Sequence, residues 1–295
     1  IFDFKKLCKL LKEKKEIFEL YLKGKFSEIN HPERLAEAME YSVMNGGKRL
    51  RPLLMYMIAD IFKADYKKIE DIAAALECVH CYSLVHDDLP AMDDDMYRRG
   101  KLTTHIKYDE ATAILAGDAL LTHAFRIISF SLQIDEDKKI EIIKVLSDYS
   151  GINGMVGGQY VDIESEGKDI SFETLKYIHG YKPGKLLKAA IEMPLIGLGV
   201  TGKAKEALLR YSELIGLSFQ IKDDLLDIEG EFEKTGKQSS DEKNNKTTYP
   251  KLFGIEETKK ILNDYITEAK NIINQNFDNG EILIELADYV GNRGE

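Results

Sequence analysis

Phe219-Gln220-Ile221-Lys222-Asp223-Asp224-Leu225-Leu226-Asp227-Ile228 sets three aspartates into an apolar run. On a helix, residues four apart share a face, so Asp223 and Asp227 stand together, with Asp224 one position round. Unpaired like charges at that spacing cost a helix a few tenths of a kcal/mol, a penalty that a bound divalent cation reverses. The stretch therefore reads as a helix whose carboxylates face a cation. Working outward, a second cluster appears upstream as Asp87-Asp88-Leu89-Pro90-Ala91-Met92-Asp93. Pro90 disfavours helical geometry at Leu89, so the helix carrying Asp87 and Asp88 should open there, and Asp93 should fold back toward them. Two such clusters in one chain predict two walls of one cation site. Carboxylate oxygens without a cysteine or histidine set favour a hard ion, and Mg2+ commonly shares its coordination shell with substrate phosphates. The expected substrate is phosphorylated or diphosphorylated.

The rest of the chain carries the same helical period. Leu35, Met39 and Val43 recur at fourfold spacing, and Glu110–Ser131, Lys138–Ser150, Phe172–Leu187 and Ala204–Asp227 each read as helix. Alternating strand patterns with Asn-Gly turns are essentially absent. The expected fold is all-α: one large helical domain over residues 1–295. The polar segment from Glu229 to Asn245 follows the second aspartate cluster directly and is expected to be a mobile lid loop. The formal net charge of −10 argues against a nucleic-acid partner, which needs a basic face. No run of about 18 apolar residues is present, so no membrane-spanning helix is expected. Three cysteines, Cys8, Cys78 and Cys81, point to a reducing, cytoplasmic setting.

Cations are grouped as well. Gly46-Gly47-Lys48-Arg49-Leu50-Arg51-Pro52 puts two glycines before three positive charges, and Arg98-Arg99-Gly100-Lys101 follows the first acidic cluster. Glycine lets backbone approach an anion, and arginine forks bind phosphate oxygens in pairs. Lys182, Lys237 and Lys246 add further charge. Acidic and basic groups side by side suggest two anions, one held through metal and one held by cations directly. Other metal chemistries fit less well. Cys78-Val79-His80-Cys81 lacks the second pair that a tetrahedral zinc site needs. Glu77 with His80 and Glu28 with His31 match di-iron spacing, but His31 precedes Pro32 at a helix start. A metal-dependent helical phosphohydrolase built on His86-Asp87 would need more histidines than the six present.

These motifs, in this order, resemble the trans-polyprenyl diphosphate synthase family, and most closely its bacterial farnesyl diphosphate synthases. The resemblance rests on Gly46–Pro52, His80–Gly100, Glu110–Leu121, Met155–Asp162, Phe219–Asp227 and Lys246–Pro250, nearly the whole chain. It implies the all-α isoprenoid synthase fold with the site in a central helix-lined cavity, a homodimer, and Mg2+-dependent 1'-4 condensation of isopentenyl diphosphate with dimethylallyl and geranyl diphosphate. It also implies that Asp87, Asp88, Asp93, Asp223 and, through water, Asp224 and Asp227 bind three Mg2+ ions on the allylic diphosphate. Arg98, Lys182 and Lys237 would touch that diphosphate, with Gln220 nearby and Lys246 helping to close the lid. Gly47, Lys48, Arg51, His80 and Arg99 would hold isopentenyl diphosphate. Pro183 replaces the threonine that the family usually carries after this lysine, and Leu102 stands where proline is common.

Product length in this family depends on residues just before the first cluster. Helical spacing puts Ser83, four before Asp87, more nearly below it than Tyr82, five before. The resemblance adds that an aromatic at Tyr82, with two extra residues between Asp88 and Asp93, marks farnesyl synthases, the ring stopping growth near fifteen carbons. Geranylgeranyl diphosphate, with twenty, is the alternative product.

Overall fold

The computed structural model describes residues 4–235 and 247–293. Among them the chain is almost entirely helical, as the sequence period predicts, with one two-residue hairpin as the exception. The helices are α1 (Phe4–Phe26), α2 (Glu33–Met44), α3 (Leu50–Ile61), α4 (Lys67–Asp87), α5 (Thr104–Lys107), α6 (Glu110–Phe130), α7 (Glu136–Ser150) and α8 (Met155–Glu164). They continue with α9 (Phe172–Tyr181), α10 (Gly184–Leu198), α11 (Gly202–Thr235), α12 (Tyr249–Phe253), α13 (Ile255–Asn276) and α14 (Glu281–Asn292). Contacts divide the chain into two compact units: Cys8–Lys144 with Ile196–Gly199, and Ile1–Leu7 with Val145–Leu195 and Val200–Glu295.

In the first of these, α4 is the axis. Ile69, Ile72, Ala73, Ala74, Ala75, Leu76, Cys78 and Val79 are fully buried, so apolar side chains run all round the helix, as in a core helix. It packs against α2, α3 and α6. Gly117 on α6 makes the closest approach possible: a Cβ there would run into the His86 ring. The Asp109 carboxylate caps α6 by accepting the Thr112 N–H at 2.6 Å. By length and hydropathy α6 is also the one described helix that meets the requirement for crossing a membrane. Here it lies on α2 and α4.

The second unit is organised by α11, which packs against α9, α12, α13 and α14. Leu262, Ile266, Ala269 and Ile273 on α13, and Leu283, Leu286, Ala287 and Val290 on α14, give each helix one buried stripe. The buried Tyr211 hydroxyl ties α11 to α14 by donating to the Leu283 carbonyl at 2.6 Å.

Three boundaries depart from the sequence reading. The helix expected over Phe172–Leu187 breaks at Lys182-Pro183, because Pro183 has no N–H to offer the His179 carbonyl one turn back. Helix α11 continues through 229–235, where a loop was expected, and the remainder of that segment, with Lys237 and Lys246, lies outside the described residues. Arg98-Arg99-Gly100-Lys101 forms a hairpin, with β1 (Tyr97–Arg98) antiparallel to β2 (Lys101–Leu102). Arg99 and Gly100 both take positive φ, 56° and 77°, the geometry of a tight two-residue hairpin turn.

Candidate active site

The end of α4 behaves as Pro90 dictates. The helix stops at Asp87, and the backbone then turns back on itself: Asp93 N–H donates to the Asp87 carbonyl at 2.8 Å and Asp95 N–H to the Asp88 carbonyl at 3.2 Å. The acidic loop is thereby wound round the helix end. Its carboxylates are not equivalent. Asp88 is buried, and Arg98 reaches it from the hairpin, Nε at 2.6 Å from Oδ1. Burial pushes the Asp88 carboxyl above its usual range, while the Arg98 guanidinium pulls it back. Asp87 is half-buried and Asp93 exposed.

The hairpin also explains the glycine pair. Gly46 and Gly47 take φ of 85° and 114°. The Arg99 guanidinium lies on them, donating to the Gly46 carbonyl and filling the space a Cβ on Gly47 would need. Two motifs that are separate in sequence, Gly46–Pro52 and Arg98–Lys101, thus form one basic lining. Within it Arg49 serves the fold: it is buried, bonding Glu77 at 2.7 Å, Glu19 at 3.1 Å and the Val43 carbonyl at 2.7 Å. Arg51 differs, its buried Nε finding no partner among the described residues. Lys48 is exposed. Burial, then the charges of Arg51, Arg99, Arg49 and Arg98, holds His80 well below the ordinary histidine pKa. A neutral imidazole among four guanidinium groups describes a place where an anion is stabilised.

On the same helix, Tyr82 is buried and packs edge-on against His86, ring centroids 5.8 Å apart. Burial first, and the nearby Asp87 charge second, push its phenol up to about 12. Ser83 turns its hydroxyl onto the His80 carbonyl at 2.9 Å.

The second aspartate cluster borders a cavity of about 340 Å³ in its own unit, lined by α8, α9, α11 and the segment before α12. Asp223 and Asp227 line it from one face of α11 with Gln220, as the i,i+4 spacing predicts. Asp224 is buried and accepts the Tyr249 N–H at 2.9 Å, so it holds the start of α12. Thr248 caps that helix by accepting the Lys251 N–H at 3.4 Å. Lys182 lies across the cavity and pairs with Asp162 at 2.6 Å. Gly158 permits this: a Cβ there would meet Lys182 Cα and the Tyr181 carbonyl carbon at 2.9 Å. Pro183 also lines the cavity, at the break between α9 and α10.

Asp162, His179 and Arg293 were not singled out from the sequence. His179 stacks on Tyr249, centroids 5.6 Å apart, and its Nε2 lies 4.0 Å from Asp224. Burial pulls its pKa down to about 4, so it is a neutral packing partner of Asp224. Asp162 closes the stretch Met155–Asp162, where it was legible as part of a motif. Arg293 stands at the end of α14 beside Asp223. Among the described residues no three His, Cys, Asp or Glu side chains converge into a complete metal cage. The donors that stay accessible are all carboxylate oxygens, which fits Mg2+, an ion that completes its shell with water and phosphate.

The polyprenyl synthetase family profile matches residues 32–284. A farnesyl diphosphate synthase of Escherichia coli (strain K12) is 43% identical over 88% of this chain and 90% of its own length. A geranylgeranyl diphosphate synthase of Cyanophora paradoxa is also 43% identical, over 97% and 96%. Among solved structures, a geranyltransferase from Legionella pneumophila superposes with a TM-score of 0.88 at 35% identity, covering 98% of each chain.

Proposed function

This chain belongs to the polyprenyl synthetase family, and we propose that it joins isopentenyl diphosphate head-to-tail (1'-4) to dimethylallyl and then geranyl diphosphate, releasing farnesyl diphosphate. The observation that carries this reading is the pairing, within one compact unit, of the acidic loop at the end of α4 with a guanidinium lining around His80. Asp87 and Asp93, at and just after the end of α4, and Asp223 and Asp227 on α11 are the more exposed carboxylates of the two clusters. Asp88 and Asp224 position those clusters through Arg98 and Tyr249. Mg2+, proposed as three ions held by these carboxylates, would supply Lewis-acid stabilisation of a departing diphosphate.

The chain's own groups do the rest. Arg98 and Lys182 offer charge to the allylic diphosphate, and Gln220 lies beside Asp223 for a polar contact. Lys237 and Lys246 complete this set in the proposal, as the resemblance implies. Gly47, Lys48, Arg51, His80 and Arg99 take the isopentenyl diphosphate, with backbone made approachable at Gly47 and His80 kept neutral as a hydrogen-bond partner. Loss of diphosphate from the allylic substrate leaves an allylic cation. The isopentenyl double bond adds to it, and the resulting cation loses a proton, giving a new allylic diphosphate five carbons longer. No protein nucleophile is needed, because the work is orientation and exclusion of water.

The two compact units are proposed to act as one synthase domain over residues 1–295, supported by a family match that runs through both. A homodimer is proposed on the apolar side chains that α6 leaves uncovered, Ile114 at 45%, Leu115 at 55% and Phe130 at 70% exposure. A cytoplasmic setting agrees with three cysteines that remain unpaired. The test is incubation of purified protein with isopentenyl and dimethylallyl diphosphates, with and without Mg2+, sizing products after dephosphorylation. Mg2+-dependent farnesol is expected. Geranylgeraniol would overturn the product assignment, and no condensation by folded protein would overturn the reaction.

A further inference from the structure

We infer that Arg293 positions Asp223, so that the end of the last helix is a working part of the second aspartate cluster. This rests on the proposed metal role of Asp223. Arg293 follows α14 directly, its N–H donating to the Tyr289 carbonyl at 3.0 Å. Its side chain then crosses to α11 and makes three contacts there. Nη2 lies 2.8 Å from Asp223 Oδ1, the same nitrogen donates to the Phe219 carbonyl, and Cζ sits 3.6 Å from the centre of the Phe219 ring. Carbonyl and carboxylate belong to successive turns of one helix, so the guanidinium bridges them along the helix face.

Two arrangements are conceivable for such a pair. In one, the arginine is a stand-in cation that a metal must expel. In the other, it stays and fixes the carboxylate. Burial decides between them. The Arg293 side chain is only 9% exposed, whereas that of Asp223 is 48% exposed. Its Nε is buried without a partner among the described residues, so the group already carries a desolvation cost for holding this pose. Burial pulls its pKa down, and Asp223 opposes that pull. Expelling the guanidinium would give up the ring, the carbonyl and the carboxylate together. The guanidinium meets the carboxylate at Oδ1 from the buried side, and a metal-binding carboxylate is commonly oriented by an outer hydrogen-bond donor. Arg293 is therefore a positioning residue.

The test is Mn2+ binding, read by the electron paramagnetic resonance of free Mn2+, to protein holding inorganic pyrophosphate, without turnover. Arg293→Gln should weaken Mn2+ binding about 10- to 100-fold. Arg293→Lys should recover part of that loss, because it restores the charge but not the fork. Phe219→Leu, which keeps both ionic partners and removes the ring, should fall between wild type and Arg293→Gln. Thermal unfolding reports whether each variant is folded, and Phe219→Leu carries the test if Arg293→Gln is not. Unchanged or tighter Mn2+ binding in a folded variant overturns the inference, tighter binding being the mark of an expelled stand-in. Asp223→Asn separates the two readings. If it leaves Mn2+ binding intact, the metal role of Asp223 fails and the inference with it. If it abolishes binding while Arg293→Gln does not, only the inference fails.

Discussion

Replacing Tyr82 by alanine should lengthen the product from fifteen to twenty carbons. The ring is buried on α4, one turn before His86, and its hydroxyl senses the Asp87 charge. A hydrocarbon tail trailing from a diphosphate held at Asp87 would meet it. Truncation empties a volume comparable to one five-carbon unit. At about 0.8 kcal/mol per buried carbon, placing that unit in the vacated space is worth up to roughly 4 kcal/mol, close to a thousandfold in the balance between release and another elongation. The same truncation costs stability, about 3–5 kcal/mol for an aromatic side chain that packs only against protein. Tyr82→Phe keeps the ring and should leave product length unchanged. The assay is chromatography of dephosphorylated products from wild type, Tyr82→Phe and Tyr82→Ala, alongside thermal unfolding of each. An unchanged product distribution from folded Tyr82→Ala refutes the reasoning, since the ring would then be core and nothing more.

Arg49→Met should cost about 3–5 kcal/mol in urea unfolding, because it leaves the buried Glu77 carboxylate without its partner. Gly158→Ala forces a methyl group against the Tyr181-Lys182 backbone, so a loss of about 1–3 kcal/mol is expected, together with a higher KM for the allylic substrate as Lys182 shifts. His123 sits against Phe26, its Nε2 buried without a partner among the described residues, and burial with the charges of Arg126 and Lys25 lowers its pKa. The unfolded chain therefore takes up the proton first, so this site costs stability progressively as pH falls below about 6.5. His123→Leu should be neutral or stabilising at pH 7.5, and its advantage over wild type should grow at pH 5 in urea titrations; a shrinking advantage would contradict the sign.

Much of this was legible in the chain because the decisive signals are local. The i,i+4 aspartates on α11, the end of α4 ahead of Pro90, and the helix read over Glu110–Ser131 each follow from residues close together in sequence. What sequence did not reveal depends on packing or on a single missing donor. The break at Pro183 is one absent N–H inside an otherwise continuous helical period. The extension of α11 through 229–235 runs against the largely polar composition of that stretch. The turn at Arg99-Gly100 needs positive φ at an arginine, a conformation with no strong sequence mark. Arg293 had no local signal at all, because its meaning comes from α14 lying on α11.

The two aspartate clusters share a division of labour that identical residue types conceal. In each, the second aspartate is buried and bonded to a segment further along the chain: Asp88 to Arg98 in the hairpin, Asp224 to the first turn of α12. In each, the first and last stay more exposed. A carboxylate buried with a fixed partner is poorly placed to exchange that partner for a metal. Neutralising the clusters one residue at a time should therefore give two patterns. Asp87→Asn and Asp223→Asn should raise the Mg2+ concentration needed for half-maximal rate, and Asp223→Asn should also cost stability because the buried Arg293 guanidinium loses its carboxylate. Asp88→Asn and Asp224→Asn should lower stability by about 1–3 kcal/mol, through loss of a charge-assisted bond, and should change the Mg2+ requirement less. Equal Mg2+ sensitivity across all four variants would show that burial does not sort these carboxylates.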